Sequence, residues 1–254
     1  MRNPAEKKSF LDFFSFAGTA LHEAAHLKGN SHVSLMVIMR QILFTGYEAL
    51  PLISFIALAI GGLVIMQGYS LLSTFGQGNL VHMILVTVII NELSAIITAL
   101  VVVARSGTAI ATELGNMVVN REVDLLKSYG LSPISYLVVS RIYGVMIAML
   151  ILTIYFNIIA VFGGWLFSQI FSSIEFRSFM GDFFMELKLG SIVMMLLKPL
   201  VFGLLISLVS SYEGMSVSHA TTEVPQRTIK AVVNSITLVV ISDILITWIF
   251  WMLK

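Results

Sequence analysis

Three charged residues lie inside apolar stretches of this sequence, where a lipid bilayer would surround them. Glu92 is the only charged residue of the run Leu80–Val103, and Lys198 and Asp243 lie near the middle of two later apolar runs. A charge at the bilayer centre costs about 2.5–3.5 kcal/mol on insertion scales, so it normally faces protein or water and has a partner. We expect a paired cluster in which Lys198 holds Glu92. The cluster either joins helices for stability alone or forms a polar constriction in a transport cavity.

The elements that position these residues are membrane-spanning helices. Hydrophobic residues make up 57% of the 254 residues and charged residues 11%, whereas soluble domains carry about 25% charged residues. A helix needs about 20 apolar residues to cross a bilayer, and the apolar runs show no strand alternation. Five stretches are long enough: Tyr47–Leu72, Leu80–Val103, Leu137–Phe167, Leu187–Val209 and Ile229–Leu253.

Composition and motifs exclude several kinds of function. The absence of cysteine excludes disulfides and thiolate metal sites, and the net charge of +1 gives no indication of nucleic-acid binding. There is no G-x-x-x-x-G-K-[ST] sequence, so the chain cannot bind ATP in the manner of a P-loop protein. We therefore expect no cofactor in this chain. Any process that this chain drives must therefore draw its energy from another chain or from an ion gradient.

Lysine and arginine are distributed unevenly between the two ends of the five stretches. Those on the side of the N-terminus are Arg2, Lys7, Lys8, Lys28, Arg40, Arg105, Arg121, Lys127, Arg141, Arg227 and Lys230. The opposite side has Arg177, Lys188 and Lys254. Cytoplasmic loops are enriched in these residues. The N-terminus is therefore predicted to be cytoplasmic and the C-terminus to lie on the opposite side of the membrane.

Residues 1–46 are predicted to form a region of their own ahead of a five-span domain, residues 47–254. Apolar residues recur there at helical spacing, which predicts a helix lying in the membrane interface on its aromatic face. They are Phe10, Phe13, Phe14, Ala17, Leu21, Ala24 and Ala25. The same stretch contains HEAAH, His22–His26, which matches the H-E-x-x-H of zinc proteases. No third ligand is evident, since His32, His82 and His219 are scattered, so a zinc metalloprotease is the weaker alternative.

The segment after the second stretch carries two packing signals. Gly107, Ala111 and Gly115 recur at four-residue intervals, which lets two helices approach closely. Asn120 then predicts the N-cap of a short cytoplasmic helix that ends at Gly130. Its apolar face comprises Val123, Leu126 and Tyr129, with Leu125 beside them. A helix this short is unstable alone, so it must dock on its own chain or on a partner.

These residues resemble the motifs of the MlaE/YrbE-type permease subunits of bacterial ABC transporters that move lipids. The central family pattern matches at Glu92, Leu93, Ala99, Leu100, Arg105, Gly107, Ala109, Ala111, Glu113, Leu114, Gly115 and Met117. The next family segment matches at Glu122, Asp124, Leu126, Gly130, Pro133 and Arg141. Upstream, MQGY resembles the family's Q-G-Y through Gln67 and Tyr69. Downstream, the family order continues with Lys198, Phe202, Tyr212, Gly214, Ala231–Ser235 and Asp243.

The resemblance implies an all-α integral membrane permease, with an N-terminal interfacial helix, five transmembrane helices and a short cytoplasmic coupling helix between spans 2 and 3. The implied partners are a second copy of the chain, a cytoplasmic ABC ATPase dimer that binds ATP and Mg²⁺, a periplasmic MCE-domain protein and a small cytoplasmic STAS-type subunit. Phospholipids or related lipids would move between the bacterial inner membrane and the periplasm or outer membrane, and the C-terminus would lie in the periplasm.

The resemblance also implies roles for individual residues. The ATPase would contact the coupling helix through Glu122, Val123, Asp124, Leu126, Tyr129 and Gly130. The cavity or gate would include Glu92, Lys198, Asp243, Gln67 and Tyr69. The close packing of helices would use Gly107, Ala111 and Gly115.

Two departures from the family pattern and one alternative function affect these expectations. Ser94-Ala95 stands where the family has G-P, so the helix distortion expected from proline is predicted to be absent. The stretch before Ala231 lacks the family's glycine-rich pattern, which predicts different contacts in the loop between spans 4 and 5. The alternative is an ion-coupled secondary transporter, in which Glu92 or Asp243 takes up protons and no ATPase is needed.

Overall fold

Five long helical stretches form the body of the protein. The structure is a computed structural model that describes residues 4–25, 35–74, 81–170, 175–218 and 220–253. Within these residues, five stretches are long and apolar enough to cross a membrane. We number them spans 1 to 5: Met36–Gly68, Leu85–Val119, Ile134–Ser168, Leu189–Met215 and Glu223–Met252. The predicted all-α integral membrane fold is therefore confirmed.

Several spans contain more than one kind of helix. Span 1 lies within α2 (Leu35–Gly46), a 3-10 turn (Tyr47–Ala49) and α3 (Leu50–Thr74). Span 2 and the turn before it comprise α4 (Val81–Ile84), a π-helical segment (Leu85–Leu93), α5 (Ser94–Val102), a second π-helical segment (Val103–Gly107) and α6 (Thr108–Val119). Spans 3 to 5 comprise a π-helical segment (Ile134–Val138) with α8 (Val139–Ser168), α10 (Leu189–Met215) and α11 (Glu223–Met252). Outside the spans lie α1 (Pro4–Ala25), α7 (Glu122–Ser128) and α9 (Phe176–Glu186).

The helices of spans 1 and 2 extend well beyond their predicted ends. Span 1 begins at Met36 rather than at Tyr47, and span 2 continues to Val119 rather than ending at Val103. Hydropathy marks the hydrocarbon layer, but helical hydrogen bonding continues until the backbone is interrupted. The interruption after span 2 is at Arg121, whose φ of 59° is left-handed. Gly107, Ala111 and Gly115 thus belong to span 2 and its extension, not to a loop.

Glycines allow the closest contacts between spans. A Cβ on Gly61 of span 1 would overlap the carbonyl oxygen of Ala160 in span 3. A Cβ on Gly203 of span 4 would lie 2.8 Å from the Cα of Met146 in span 3. Lipid tails provide no hydrophobic force between helices, so close van der Waals packing at small residues holds the bundle together.

The N-terminal helix α1 docks on the protein as well as presenting a face outward. Ala20 and Ala24 are buried, and the hydroxyl of Tyr143 donates a hydrogen bond to the carbonyl oxygen of Ala24 at 3.1 Å. The ring of Phe13 contacts Tyr212 of span 4 edge-on, with centroids 5.3 Å apart. Phe13 thus has an aromatic partner within the chain, whereas the position of α1 in the membrane interface stays a prediction.

Replacement of Gly61 by alanine tests the close contact between spans 1 and 3. The added methyl group has backbone atoms in its path, so the spans must separate, and overpacking of this kind costs about 1–3 kcal/mol. We expect the thermal midpoint of the purified protein in detergent to fall by about 5 °C. Gly18→Ala is the matched control, since a Cβ there meets nothing within 4 Å. An equal midpoint for the two variants would contradict the packing described here.

Candidate functional site

A buried ion cluster joins spans 2, 4 and 5. The Lys198 side chain is fully buried, and its Nζ donates a hydrogen bond to Glu92 Oε2 at 2.6 Å. Asp243 Oδ1 lies 2.8 Å from the same Nζ, as an ion pair without hydrogen-bond alignment. The structure thus brings together the three residues that the sequence placed at one depth, with Lys198 holding Glu92. We call these three residues the triad; with two carboxylates and one ammonium, it carries a formal excess of one negative charge.

Both helices that supply the strongest pair of the triad depart from regular α-helical hydrogen bonding at that level. Glu92 lies in the π-helical segment, where the amide of Ser94 donates to the carbonyl oxygen of Ile89, five residues back. The expectation that this distortion would be absent without proline is wrong. In span 4, Pro199 follows Lys198 and has no amide hydrogen for the carbonyl of Met195. π-helical turns are frequent at functional sites because they redirect side chains.

Thr247 joins the triad from the next turn of span 5. Its Oγ1 lies 3.2 Å from Glu92 Oε1 and 3.3 Å from Oε2, so it donates to this carboxylate. Sequence reasoning missed Thr247, although Asp243, Thr247 and Trp251 recur at intervals of four residues. That spacing places side chains on one face of a helix. This spacing could have predicted that Thr247 lies on the same face of span 5 as Asp243.

An open groove lies beside the triad. It has a volume of about 430 Å³, and both carboxylates of the triad line it. The remaining lining residues all come from span 5: Ile244, Thr247, Trp248 and Trp251. Both tryptophans are exposed. The groove is therefore apolar and aromatic, with acidic groups at one place in its wall.

Gln67, another predicted cavity residue, is exposed on α3 and is not among the residues that line the groove. The physical reason is that α3 packs chiefly against α8, whereas span 5 supplies most of the groove. The backbone of Tyr69 lies in α3, and its side chain is outside the described residues.

The short helix α7 divides its apolar residues between two directions. Val123 is buried and Leu126 is half-buried, so both pack on the chain itself, whereas Leu125 and Tyr129 are exposed. Glu122 and Asp124 are also exposed. The predicted single face of Val123, Leu126 and Tyr129 is therefore wrong.

The ends of α7 differ in how well the sequence predicted them. Arg121, rather than Asn120, occupies the cap position, and it makes no side-chain capping hydrogen bond. Asn120 Nδ2 instead lies 3.4 Å from Glu122 Oε1. The predicted end at Gly130 is confirmed: its φ is 75°, and the amides of Gly130 and Leu131 donate to the carbonyls of Lys127 and Leu126. This is a Schellman motif, in which glycine accepts the left-handed conformation at no steric cost.

The predicted packing residues of span 2 face spans 4 and 5. A Cβ on Gly107 would lie 3.2 Å from Ser210 Oγ, and one on Gly115 would lie 3.2 Å from Val217 and Val224 side chains. Ala111 provides the backbone against which Gly214 packs. The three residues thus hold the extension of span 2 against the ends of spans 4 and 5.

A second ionic cluster, which sequence reasoning missed, lies where spans 4 and 5 approach the loop between them. Glu213 is buried and accepts hydrogen bonds from Arg227 Nη1 at 3.1 Å and from Asn234 Nδ2 at 3.0 Å. A separate ion pair joins the buried Arg141 of span 3 to Glu113 of span 2 at 2.9 Å. A single charged residue near a span end carries little signal, because such residues are usually solvated.

The HEAAH motif is used for docking in this structure. Glu23 accepts a hydrogen bond from Ser132 Oγ at 2.9 Å, which ties α1 to the segment after α7. His26, His32 and His219 lie outside the described residues. Among the residues that the structure does describe, no three His, Asp or Glu side chains are grouped as metal ligands.

Comparison with known proteins places the chain in a family. The family model described as Permease MlaE matches residues 38–249. A probable ABC transporter permease protein of Rickettsia typhi is 33% identical over 213 residues, which are 84% of this chain and 82% of the relative. The intermembrane phospholipid transport system permease protein MlaE of Haemophilus influenzae is 23% identical over 244 residues, 94% of each chain.

A plant relative extends the similarity beyond bacteria. The chloroplastic protein TRIGALACTOSYLDIACYLGLYCEROL 1 of Arabidopsis thaliana is 28% identical over 225 residues, which are 89% of this chain and 64% of the relative. The family model covers most of the chain, including the triad, the groove residues up to Trp248 and α7. This multi-pass membrane protein therefore belongs to the MlaE permease family.

Proposed function

We propose that this chain is the permease subunit of an ABC transporter that moves phospholipids, driven by a separate cytoplasmic ATPase. The observation that carries the proposal is the triad opening onto an apolar groove within the spans. An apolar groove accommodates acyl chains, and ionic groups in its wall offer contacts to a polar headgroup. The relative from Haemophilus influenzae is named for phospholipid transport, and several Rickettsia relatives are named as ABC permeases, which supports the proposal.

The proposal includes an orientation and a set of partners. The N-terminus and α7 lie in the bacterial cytoplasm, because the positive residues concentrate on that side of the inner membrane. Two copies of the chain pair, and an ATPase dimer with ATP and Mg²⁺ contacts each α7 through Leu125 and Tyr129. An MCE-domain protein on the periplasmic side exchanges lipid with the permease, and a STAS-type subunit joins the ATPases.

Purification of the native complex tests the proposal. A tag on this chain and gentle solubilisation from the native membrane should yield an ATPase, an MCE-domain protein and co-purified phospholipid, identified by mass spectrometry. Recovery of the chain without any ATPase would reject the ABC assignment and favour the ion-coupled secondary transporter. In that case transport should follow a proton gradient, and Glu92→Gln should abolish it.

Charge variants of the triad separate a transport role from a role in helix packing. Lys198→Met leaves two carboxylates without their cation, and breaking a buried pair in this way costs about 3–5 kcal/mol. We expect a large loss of folded protein, measured by size-exclusion chromatography in detergent. The triple variant Lys198→Met, Glu92→Gln, Asp243→Asn removes every charge and should recover most of the folded protein, because uncharged side chains have no such penalty.

The triple variant then provides the decisive comparison. If the triad acts in transport, the folded triple variant should transport lipid at less than about a tenth of the normal rate. A tenfold loss corresponds to a free-energy change of roughly 1.4 kcal/mol. Lipid transfer between labelled vesicles in the reconstituted complex provides the measurement. Normal transport by the triple variant would show that the triad serves packing alone.

Substitutions on α7 test the contact with the ATPase. Leu125→Ala and Tyr129→Ala should leave the chain folded and reduce co-purification of the ATPase, because truncation of exposed apolar anchors at an interface costs about 1–2 kcal/mol each. Tyr47→Ala is the matched control, since Tyr47 and Tyr129 are both 73% exposed. Leu126→Ala should instead lower thermal stability. Unchanged ATPase binding and ATP hydrolysis in the Tyr129 variant would reject this role of α7.

A further inference from the structure

We propose that the groove beside the triad binds the ammonium group of a zwitterionic phospholipid headgroup. The inference rests on the proposed transport of phospholipids and adds a headgroup class to it. Its basis is the combination of excess negative charge and exposed aromatic rings in one groove. Neither the triad alone nor the tryptophans alone would identify a ligand.

By formal charge, the triad has one more carboxylate than ammonium groups among the described residues. Lys198 neutralises one of the two carboxylates, and the second remains within the membrane-spanning region beside an open groove. An uncompensated charge in a low-dielectric environment is costly, so a cation that reaches the groove is attracted. Glu92 is the accessible member of the triad: its side chain is 34% exposed, whereas that of Asp243 is 11% exposed.

The aromatic residues favour an ammonium ion among the possible cations. Trp248 and Trp251 line the same groove as Glu92 and Asp243, and both rings are exposed. Tryptophan gives the strongest cation–π contacts among the aromatic side chains, and binding sites for quaternary ammonium ligands make use of such contacts. Tryptophans also occur at membrane interfaces for their amphipathic character alone. Here both tryptophans line the same groove as the two carboxylates, which an interfacial role alone does not require.

The surroundings of the groove favour a lipid over a soluble amine. Ile244 and both tryptophans form most of its wall, and the outward face of span 5 continues it with the exposed Ile241 and Leu245. Acyl chains would lie along this apolar face while the headgroup ammonium contacts Glu92. A headgroup without an amine, such as that of phosphatidylglycerol, would bring only its negative phosphate towards the carboxylates, which repel it.

Competition among lipids of equal acyl chains tests the inference. The full-length chain, purified with the subunits that accompany it, is incubated with equal amounts of phosphatidylethanolamine, phosphatidylcholine and phosphatidylglycerol. Native mass spectrometry then counts the bound lipids. We expect each zwitterionic lipid to exceed phosphatidylglycerol by about fivefold, the range expected for partly desolvated cation–π and ionic contacts. N-acylated phosphatidylethanolamine, which has no ammonium, should lose this preference.

Variants of the tryptophans locate the preference in the groove. Trp248→Leu with Trp251→Leu should bring the ratio close to one, whereas Trp248→Phe with Trp251→Phe should retain part of it, because phenylalanine keeps an aromatic face. Ile249→Ala is the control, since Ile249 is exposed on the same helix but does not line the groove. It should leave the ratio unchanged.

Each remaining outcome rejects the inference in a distinct way. Bound lipid without headgroup preference would reject the inference. The permease proposal would still stand, because it is tested separately by whether an ATPase co-purifies in the same samples. If soluble glycerophosphoethanolamine displaced the bound lipid as well as phosphatidylethanolamine does, the groove would be assigned to a soluble amine. A change of subunit number, rather than of lipid ratio, in the leucine double variant would assign it to a second copy of the chain.

Discussion

The fully buried ammonium of Lys198 is the constraint on which the arrangement of spans 2, 4 and 5 depends. Its Nζ must stay within about 3 Å of the carboxylates, because an unpaired charge at this depth would cost several kcal/mol. This requirement fixes the rotation of each of the three helices about its own axis. It matters most for span 5, because only 17% of the residues in its 18-residue apolar window are buried. Apolar packing therefore contributes little to its position, and the ion contacts contribute correspondingly more.

A second set of ionic contacts holds the same helices nearer the loop between spans 4 and 5. Glu213 of span 4 accepts hydrogen bonds from Arg227 and Asn234 of span 5, so this contact between the two spans is polar. Spans 4 and 5 are thus linked by charge at two levels, with small and apolar side chains between them. The ionic contacts therefore set the position of span 5 relative to span 4 at both levels.

The sequence predicted the parts of this protein that follow from hydropathy and from the cost of buried charge. It predicted five spans from the long apolar runs. It also predicted the grouping of Glu92, Lys198 and Asp243, because charged side chains within the bilayer are costly unless they are paired. It missed Glu213 and Thr247, because a charge near a span end and a threonine within a span have ordinary roles there. It also misjudged the π-helical segment at Glu92. That distortion depends on tertiary packing and on an amide-to-carbonyl shift, neither of which requires proline.

The position of α7 explains how a partner at the surface could act on the triad. Only the turn at Asn120–Arg121 separates α7 from span 2, and the buried Val123 anchors it to the chain. After α7, Ser132 is held by Glu23 of α1, so the connection to span 3 is also fixed. Under the proposed function, a displacement of α7 by a partner would therefore pass to spans 2 and 3 through few intervening residues. Span 2 carries Glu92 in its π-helical segment, so such a displacement would change the contact between Glu92 and Lys198. The helix α7 and the triad are thus connected through span 2.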